Sequence, residues 1–258
     1  MKMRLYAILK ALVGAVALTA ALAACSTQVA ERKPRQALFI GVDVSGSFQQ
    51  SGYYDDAMTF LAHYIYGHLN ELGGLAPPRE LFVGSIGGKD SAEPKAFHPI
   101  HDFTGKSIPE IEEQLRAWFV PMDSFTDFNP FFQQVARIAK ERHLTLSPIT
   151  VMLVSDGIPD APMPASETGS LYEKIDLSPL EYLSRNLTIR LAYASPKVGE
   201  NWRKEIPRQR VRLWAVEGEV MKGWSKQVEP EVVDPAGQER LWKWVRDNVD
   251  YRVRSISG

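Results

Sequence analysis

Leu38-Phe39-Ile40-Gly41-Val42 is an apolar run that stops abruptly at Asp43, and Ile149-Thr150-Val151-Met152-Leu153-Val154 stops the same way at Ser155-Asp156-Gly157. Short, nearly continuous apolar runs bounded by turn residues read as buried strands. An acidic residue at the C-terminal end of such a strand points into the crevice where open α/β sheets bind their ligands. The first run continues as Val44-Ser45-Gly46-Ser47-Phe48, read as a polar loop. One carboxylate and two hydroxyls at alternate positions offer three oxygens to a hard cation such as Mg2+. Asp and Ser are also common turn formers, so this spacing alone leaves the point open.

The segments between the two strands carry helical and strand periods. Ala57, Phe60, Leu61, Tyr64, Ile65, His68, Leu69 and Leu72 recur at threes and fours and predict a helix, with Asp55-Asp56 at its start and Gly73-Gly74 after its end. His63 and His68, five apart, face different directions and read as packing or surface residues. Leu81 to Ile86 is a second strand. Ala96 to Phe103 fits a short edge strand, where Pro99 is tolerated; His98, His101 and Asp102 are also zinc-ligand types. Ser107 to Phe119 predicts a helix with Pro109 and Glu110 near its start, closed by Pro121. A further helix after Asn129 should bury Phe131, Phe132, Val135, Ile138 and Ala139.

Beyond Gly157, Ala161 to Ile175 reads as an irregular insertion and Ser178 to Leu183 as a short helix. Leu187 to Tyr193 and Arg210 to Val216 read as strands, the latter with Val211, Leu213 and Ala215 on one face. Asn201 to Ile206 predicts a brief helix and Val220 to Asp234 a surface loop. Pro235 to Asp250 predicts a closing helix that buries Leu241, Trp242, Val245 and Val249, with Trp244 at its margin.

The chain starts with Lys2 and Arg4, then an apolar stretch from Leu5 to Ala24 interrupted only by Lys10, Gly14 and Thr19. This is the layout of a secretory signal, with a retained membrane helix as the alternative. Leu22-Ala23-Ala24-Cys25 resembles the bacterial lipobox, in which cleavage leaves a lipidated cysteine at the new N-terminus. Cys25 is the chain's single cysteine, so an internal disulfide is excluded. Ser26 in place of Asp implies, through that resemblance, the outer membrane, facing the periplasm. Several acyl chains together would anchor the protein stably. Residues 26–36 read as a polar tether.

Cleavage takes three of the 30 basic residues (Lys2, Arg4, Lys10) and none of the 31 acidic ones, leaving 234 residues with a formal net charge of −4. That length suits one sizeable α/β domain, 37–258, including a C-terminal helical extension. A nucleic-acid partner would favour concentrated positive charge, and none is found.

Asp43-x-Ser45-x-Ser47, Thr126-Asp127-Phe128 and Asp156-Gly157 occur in the order of the three loops of the metal-ion-dependent adhesion site (MIDAS) of the von Willebrand factor A (VWA) family, which this sequence resembles from about Ala37 to Ser195. The resemblance implies a Rossmann-like α/β fold, a mostly parallel sheet with one short antiparallel edge strand and helices on both faces. It implies that Ser45, Ser47 and Thr126 bind a divalent cation directly, Mg2+ first and Mn2+ or Ca2+ as alternatives. Asp43 and Asp156 would act mostly through bound water. The family commonly has small glycines before the threonine; here Ser124 and Phe125 stand there, and Ser124 is the fallback ligand. Asp127 is either a pocket acceptor or a helix cap, and Asp160 a pocket residue.

Neutral hydroxyls leave residual positive charge on a cation, so the implied activity is capture of a partner protein's Asp or Glu, not catalysis. The rival readings are a metal-assisted hydrolase, since strand-end aspartates also serve phosphoryl transfer, and an envelope structural domain with an unused site. Against the first, the sequence has no helical His-Glu-x-x-His and no phosphate-cradling glycine loop.

Overall fold

The structure is a computed structural model that describes residues 34–87, 96–122, 125–160, 169–183 and 187–251. The signal segment, Cys25, Ser124 and most of the 161–175 insertion lie outside the described residues.

Six strands form one sheet: β1 (Gln36–Asp43), β2 (Pro78–Ile86), β3 (Phe97–Pro99), β4 (Ile149–Val154), β5 (Thr188–Ala194) and β6 (Arg212–Glu217). Their order is β3-β2-β1-β4-β5-β6, which is the doubly wound, Rossmann-like arrangement. All neighbours are parallel except β2 and β3, where Val83 pairs with His98 antiparallel. The short edge strand predicted at Ala96–Phe103 is therefore β3, and Pro99 sits where a central ladder would not accept it. His98 stacks flat on Trp118, with ring centroids 3.6 Å apart, and its Nδ1 lies 3.5 Å from the Asp102 carboxylate.

Strand alternation sends successive β1 residues to opposite faces. Leu38, Ile40 and Val42 join one core with α2 (Tyr54–Leu69), α3 (Ile108–Trp118) and α8 (Glu239–Trp244). Ala37 and Phe39 join the other with α4 (Asn129–Glu141), α5 (Ser178–Glu181) and α6 (Pro196–Glu205). With both faces covered, β1 and β4 need nearly continuous apolar runs, which Ala37 to Val42 and Val151 to Val154 supply. Gly41 is the exception on β1. A Cβ there would fall 2.7 Å from Ile86 Cδ1 and 2.8 Å from Phe131 Cζ, so its absence lets α4 close onto the sheet.

Four local expectations are corrected. The polar stretch after Asp43 is not all loop: Gly46–Gln50 forms a helical turn, α1, with Ser45 as its N-cap and Phe48 buried beneath it. The helix expected at Asn201–Ile206 begins five residues earlier. Ser195 caps it and Pro196, whose missing N–H costs nothing in a first turn, follows. Val220–Asp234 is not a wandering surface loop, because α7 (Gly218–Met221) and a tight turn at Ser225–Gln227 bury Met221 and Trp224. The indole N–H of Trp224 donates to the carboxylate of Asp56 on α2, and the Tyr193 hydroxyl donates to it too. Finally, Pro235–Asp250 is three pieces: a turn at Pro235–Gly237, α8, and a wide turn at Val245–Val249 in which the Asp250 N–H reaches back to the Val245 carbonyl. Leu241, Trp242, Val245 and Val249 are buried as expected.

A buried ion pair holds this C-terminal segment to the sheet. Arg190 of β5, 5% exposed, donates to the Val249 carbonyl at 2.6 Å and the Tyr251 carbonyl at 3.0 Å. Its Nε lies 3.6 Å from Asp250, which also accepts from the Tyr64 hydroxyl.

Candidate functional site

Parallel pairing of β1 with β4 puts Val42 beside Val154, so the loops that follow them leave the sheet side by side. Asp43, the last residue of β1, is fully buried. Its Oδ1 accepts the Ser45 N–H at 2.9 Å and its Oδ2 accepts the Ser155 hydroxyl at 2.6 Å. The Ser45 and Ser47 hydroxyls are 3.1 Å apart, and Ser47 hydrogen-bonds to the Asp156 carboxylate, which also accepts the Ile158 N–H at 3.0 Å. Asp43, Ser45, Ser47 and Asp156 therefore form one continuous polar cluster across the two strand ends.

Burial pushes the Asp43 carboxyl up to about 6, against its three hydrogen bonds from Ser155 and Ser45, and the nearby Asp156 carboxylate adds to the rise. Burial raises Asp156 as well, opposed by the Ile158 N–H and the Ser47 hydroxyl. Among the described residues, no Lys or Arg forms an ion pair with either carboxylate. Two neighbouring carboxylates in a low-dielectric site, served only by neutral donors, leave negative charge uncompensated.

The second loop is pinned at both ends. The Met122 N–H donates to the Val44 carbonyl at 2.8 Å, and the Asp160 N–H donates to the Thr126 carbonyl at 3.0 Å in an isolated antiparallel bridge. Thr126 thus lies between the loops that carry Asp43 and Asp156. Its side chain is 1% exposed, and its Oγ1 has no hydrogen-bond partner among the described residues. A buried hydroxyl without a partner is costly and asks for an explanation, an ion among them.

Asp127 adjoins the Thr126 bridge and Asp160 is part of it. The Asp127 carboxylate accepts the Asn129 N–H at 2.9 Å and so shapes the entry into α4, whose N-cap is the following residue, Phe128. Asp160 contributes its backbone to the bridge while its side chain is exposed. Ser155 joins this polar cluster although it is not among the candidate residues read from the sequence. Its signal was a hydroxyl placed between a buried strand and Asp156, at the point where strand alternation turns a side chain toward the neighbouring strand end.

Among the described residues, no three His, Cys, Asp or Glu side chains cluster as metal ligands. A cation here would depend on hydroxyl oxygens. Ser45, Ser47, Thr126, Asp43 and Asp156 supply an all-oxygen set of the kind hard divalent cations take. The partnerless Thr126 hydroxyl and the uncompensated carboxylates fit such an ion.

Gly157 follows with φ +75°, and a Cβ there would lie 2.8 Å from Leu191 Cδ2 and 2.9 Å from Val198 Cγ1. Gly157→Ala should therefore destabilise the domain by about 1–3 kcal/mol through strain and overpacking. Urea unfolding would measure this, and an unchanged midpoint would refute it.

No family model and no curated protein matches the chain in sequence. Among solved structures, it is similar to the SpRpn10 VWA domain (13% identity, TM-score 0.41), with 71% of this chain and 88% of that one covered. It is also similar to proximal thread matrix protein 1 of the mussel byssus (12%, TM-score 0.46), covering 82% of this chain and 47% of that one. The pilus adhesin SpaC of Lactobacillus rhamnosus GG is a third such structure (12%, TM-score 0.48), with 76% of this chain and 30% of that one covered. The chain spans less than half of the mussel protein and under a third of the adhesin. A further structure of the mussel protein is described as having a zinc-occupied MIDAS motif (14%, TM-score 0.44, 79% of this chain and 48% of that one).

Proposed function

We propose that this chain is a membrane-anchored VWA-like module that binds a protein partner through a divalent cation. The observation that carries the reading is the buried Thr126 hydroxyl, which has no partner among the described residues and is held between loops whose carboxylates have no basic partner among them either. In this reading Ser45, Ser47 and Thr126 hold the cation, and Asp43 and Asp156 accept hydrogen bonds from its water. Mg2+ is the first choice because it keeps water ligands and tolerates few charged ones; Mn2+ and Ca2+ are the alternatives. The cation would supply a Lewis-acidic position for an Asp or Glu of the partner. The chain's own contribution is to hold neutral donors toward that position, so that positive charge remains for the incoming carboxylate. Lipid on Cys25 would tether the module to the outer membrane, facing the periplasm, and place the partner in the same envelope.

The test is an affinity capture from solubilised envelopes with the full chain in detergent. It is run with Mg2+, with EDTA, and with the Asp43→Ala/Ser45→Ala variant in Mg2+. A partner recovered only by wild type with Mg2+ is the expected result. Equal recovery in all three arms would place binding elsewhere on the molecule and end this reading.

A further inference from the structure

Ser155 is fully buried, directly after β4, and its hydroxyl makes two bonds whose directions are fixed by chemistry. The Gly157 N–H, 2.9 Å away, can only donate to it. An ionised carboxylate can only accept, so the single Ser155 proton points at Asp43 Oδ2, 2.6 Å away. One oxygen atom thus ties the loop after β1 to the loop after β4.

The effect on Asp43 is specific. The Ser45 N–H holds one carboxylate oxygen and Ser155 holds the other, so the carboxylate plane cannot swing. With a further bond from the Ser45 side chain, three donors occupy the carboxylate, which leaves room for one more, and a water molecule is such a donor. The support behind Ser155 extends to the second loop. The Gly157 carbonyl accepts the Trp202 indole N–H at 2.7 Å. Trp202, fully buried on α6, meets Phe128 edge to face at 5.0 Å, and Phe128 leads from Thr126 into α4.

We infer that Ser155 is a positioning residue for the cation site. It aims the Asp43 carboxylate so that it takes a hydrogen bond from cation-bound water and does not rotate to ligate the ion itself. This rests on the cation-binding reading above. In this inference Ser155 acts through Asp43: its proton goes to Asp43 and one lone pair accepts from the Gly157 N–H. Loss of its hydroxyl frees Asp43 Oδ2 and leaves the Gly157 N–H without its acceptor. Groups that orient a metal's surroundings in this way typically change affinity by about 10–100-fold when removed.

The experiment is calorimetric titration of the full chain in detergent with Mg2+ and with Mn2+. The proteins are wild type, Asp43→Ala, Ser155→Ala, Ser155→Thr, Ser155→Cys and, as a packing control on β5, Ile189→Ala. Wild type should bind and Asp43→Ala should not. Ser155→Ala and Ser155→Cys should bind about 10–100-fold more weakly. Ser155→Thr, which keeps the hydroxyl, should recover most of the affinity. Ile189→Ala should lose stability and keep wild-type affinity, which separates positioning from general loosening. If Ser155→Ala does not fold, the Cys and Thr variants decide, since a thiol fills the space but donates poorly. Wild-type affinity in Ser155→Ala or Ser155→Cys, with Asp43→Ala still dead, overturns the role of Ser155 alone. A wild type that takes up neither ion, or that matches Asp43→Ala, overturns the cation reading and this inference with it.

Discussion

Arg190→Met should lower the unfolding free energy by about 3–5 kcal/mol, the cost of breaking a buried ion pair from one side. Arg190 and Asp250 are both under 10% exposed, and the guanidinium also serves the Val249 and Tyr251 carbonyls. Removing it leaves the two carbonyls without their donor and the buried Asp250 carboxylate without its counter-charge, with the Tyr64 hydroxyl still donating to it. Arg190→Lys should not restore stability, because an ammonium cannot span the two carbonyls and the carboxylate from one planar fork. The double variant Arg190→Met/Asp250→Asn should lose less than Arg190→Met, since the stranded charge is gone. Urea unfolding of the four proteins checks this. A loss under about 1 kcal/mol in Arg190→Met, the level of an exposed pair, would show that the clamp contributes little.

The second large effect is on pH dependence. Asp43 titrates at about 6 in the folded chain against an ordinary 3.8, so the native state holds this proton more tightly than the unfolded state. The resulting stability is complete at low pH and is lost as pH rises through the interval from the ordinary value to about 6. A shift of this size corresponds to about 3 kcal/mol. Other groups titrate in the same range, so the quantity to plot is the wild-type stability minus that of Asp43→Asn, in EDTA. It should fall with rising pH and level off above the Asp43 titration. A difference that rises instead would mean that the folded chain holds this proton less tightly than the unfolded one. Saturating Mg2+ should reverse the trend, because the cation selects the ionised carboxylate. By the same linkage, Mg2+ affinity should be about tenfold weaker at pH 5 than at pH 7. Asp156, also raised by burial, steepens the fall.

The strand ends were legible because their physics is local. β1 and β4 are covered on both faces, so their apolar runs stop where the sheet stops, and Asp43 and Asp156 stand at that boundary. The helices over Tyr54–Leu69 and Asn129–Glu141 were legible for the same reason, since each has one face to bury. Ser155 was not. Its role depends on Asp43, a residue that only sheet pairing brings near. Trp224 was misplaced because a single tryptophan in a polar stretch carries no period; Asp56, on α2, gives it its place. The closing helix read as one piece because its apolar residues keep helical spacing through the wide turn, and the Arg190 bonds that end it come from β5. The early start of α6 was available in Ser195-Pro196, a cap signal that the apolar pattern around Trp202 overshadowed.

Sheet order also governs when the site can exist during folding. β1 lies between β2 and β4, and its contact with β4 joins residues as far apart in sequence as Asp43 and Ser155, 112 positions. Closing so long a loop is entropically slow compared with forming α2 or pairing β1 with β2. The local elements can therefore assemble on a nascent chain while its aspartates remain open to solvent. Burial of Asp43 waits for the arrival of β4. A chain interrupted before Ile149 would keep the Asp43-x-Ser45-x-Ser47 stretch yet have no partner for Asp43 Oδ2. The cluster is thus a property of the finished domain, and its appearance marks the completion of folding.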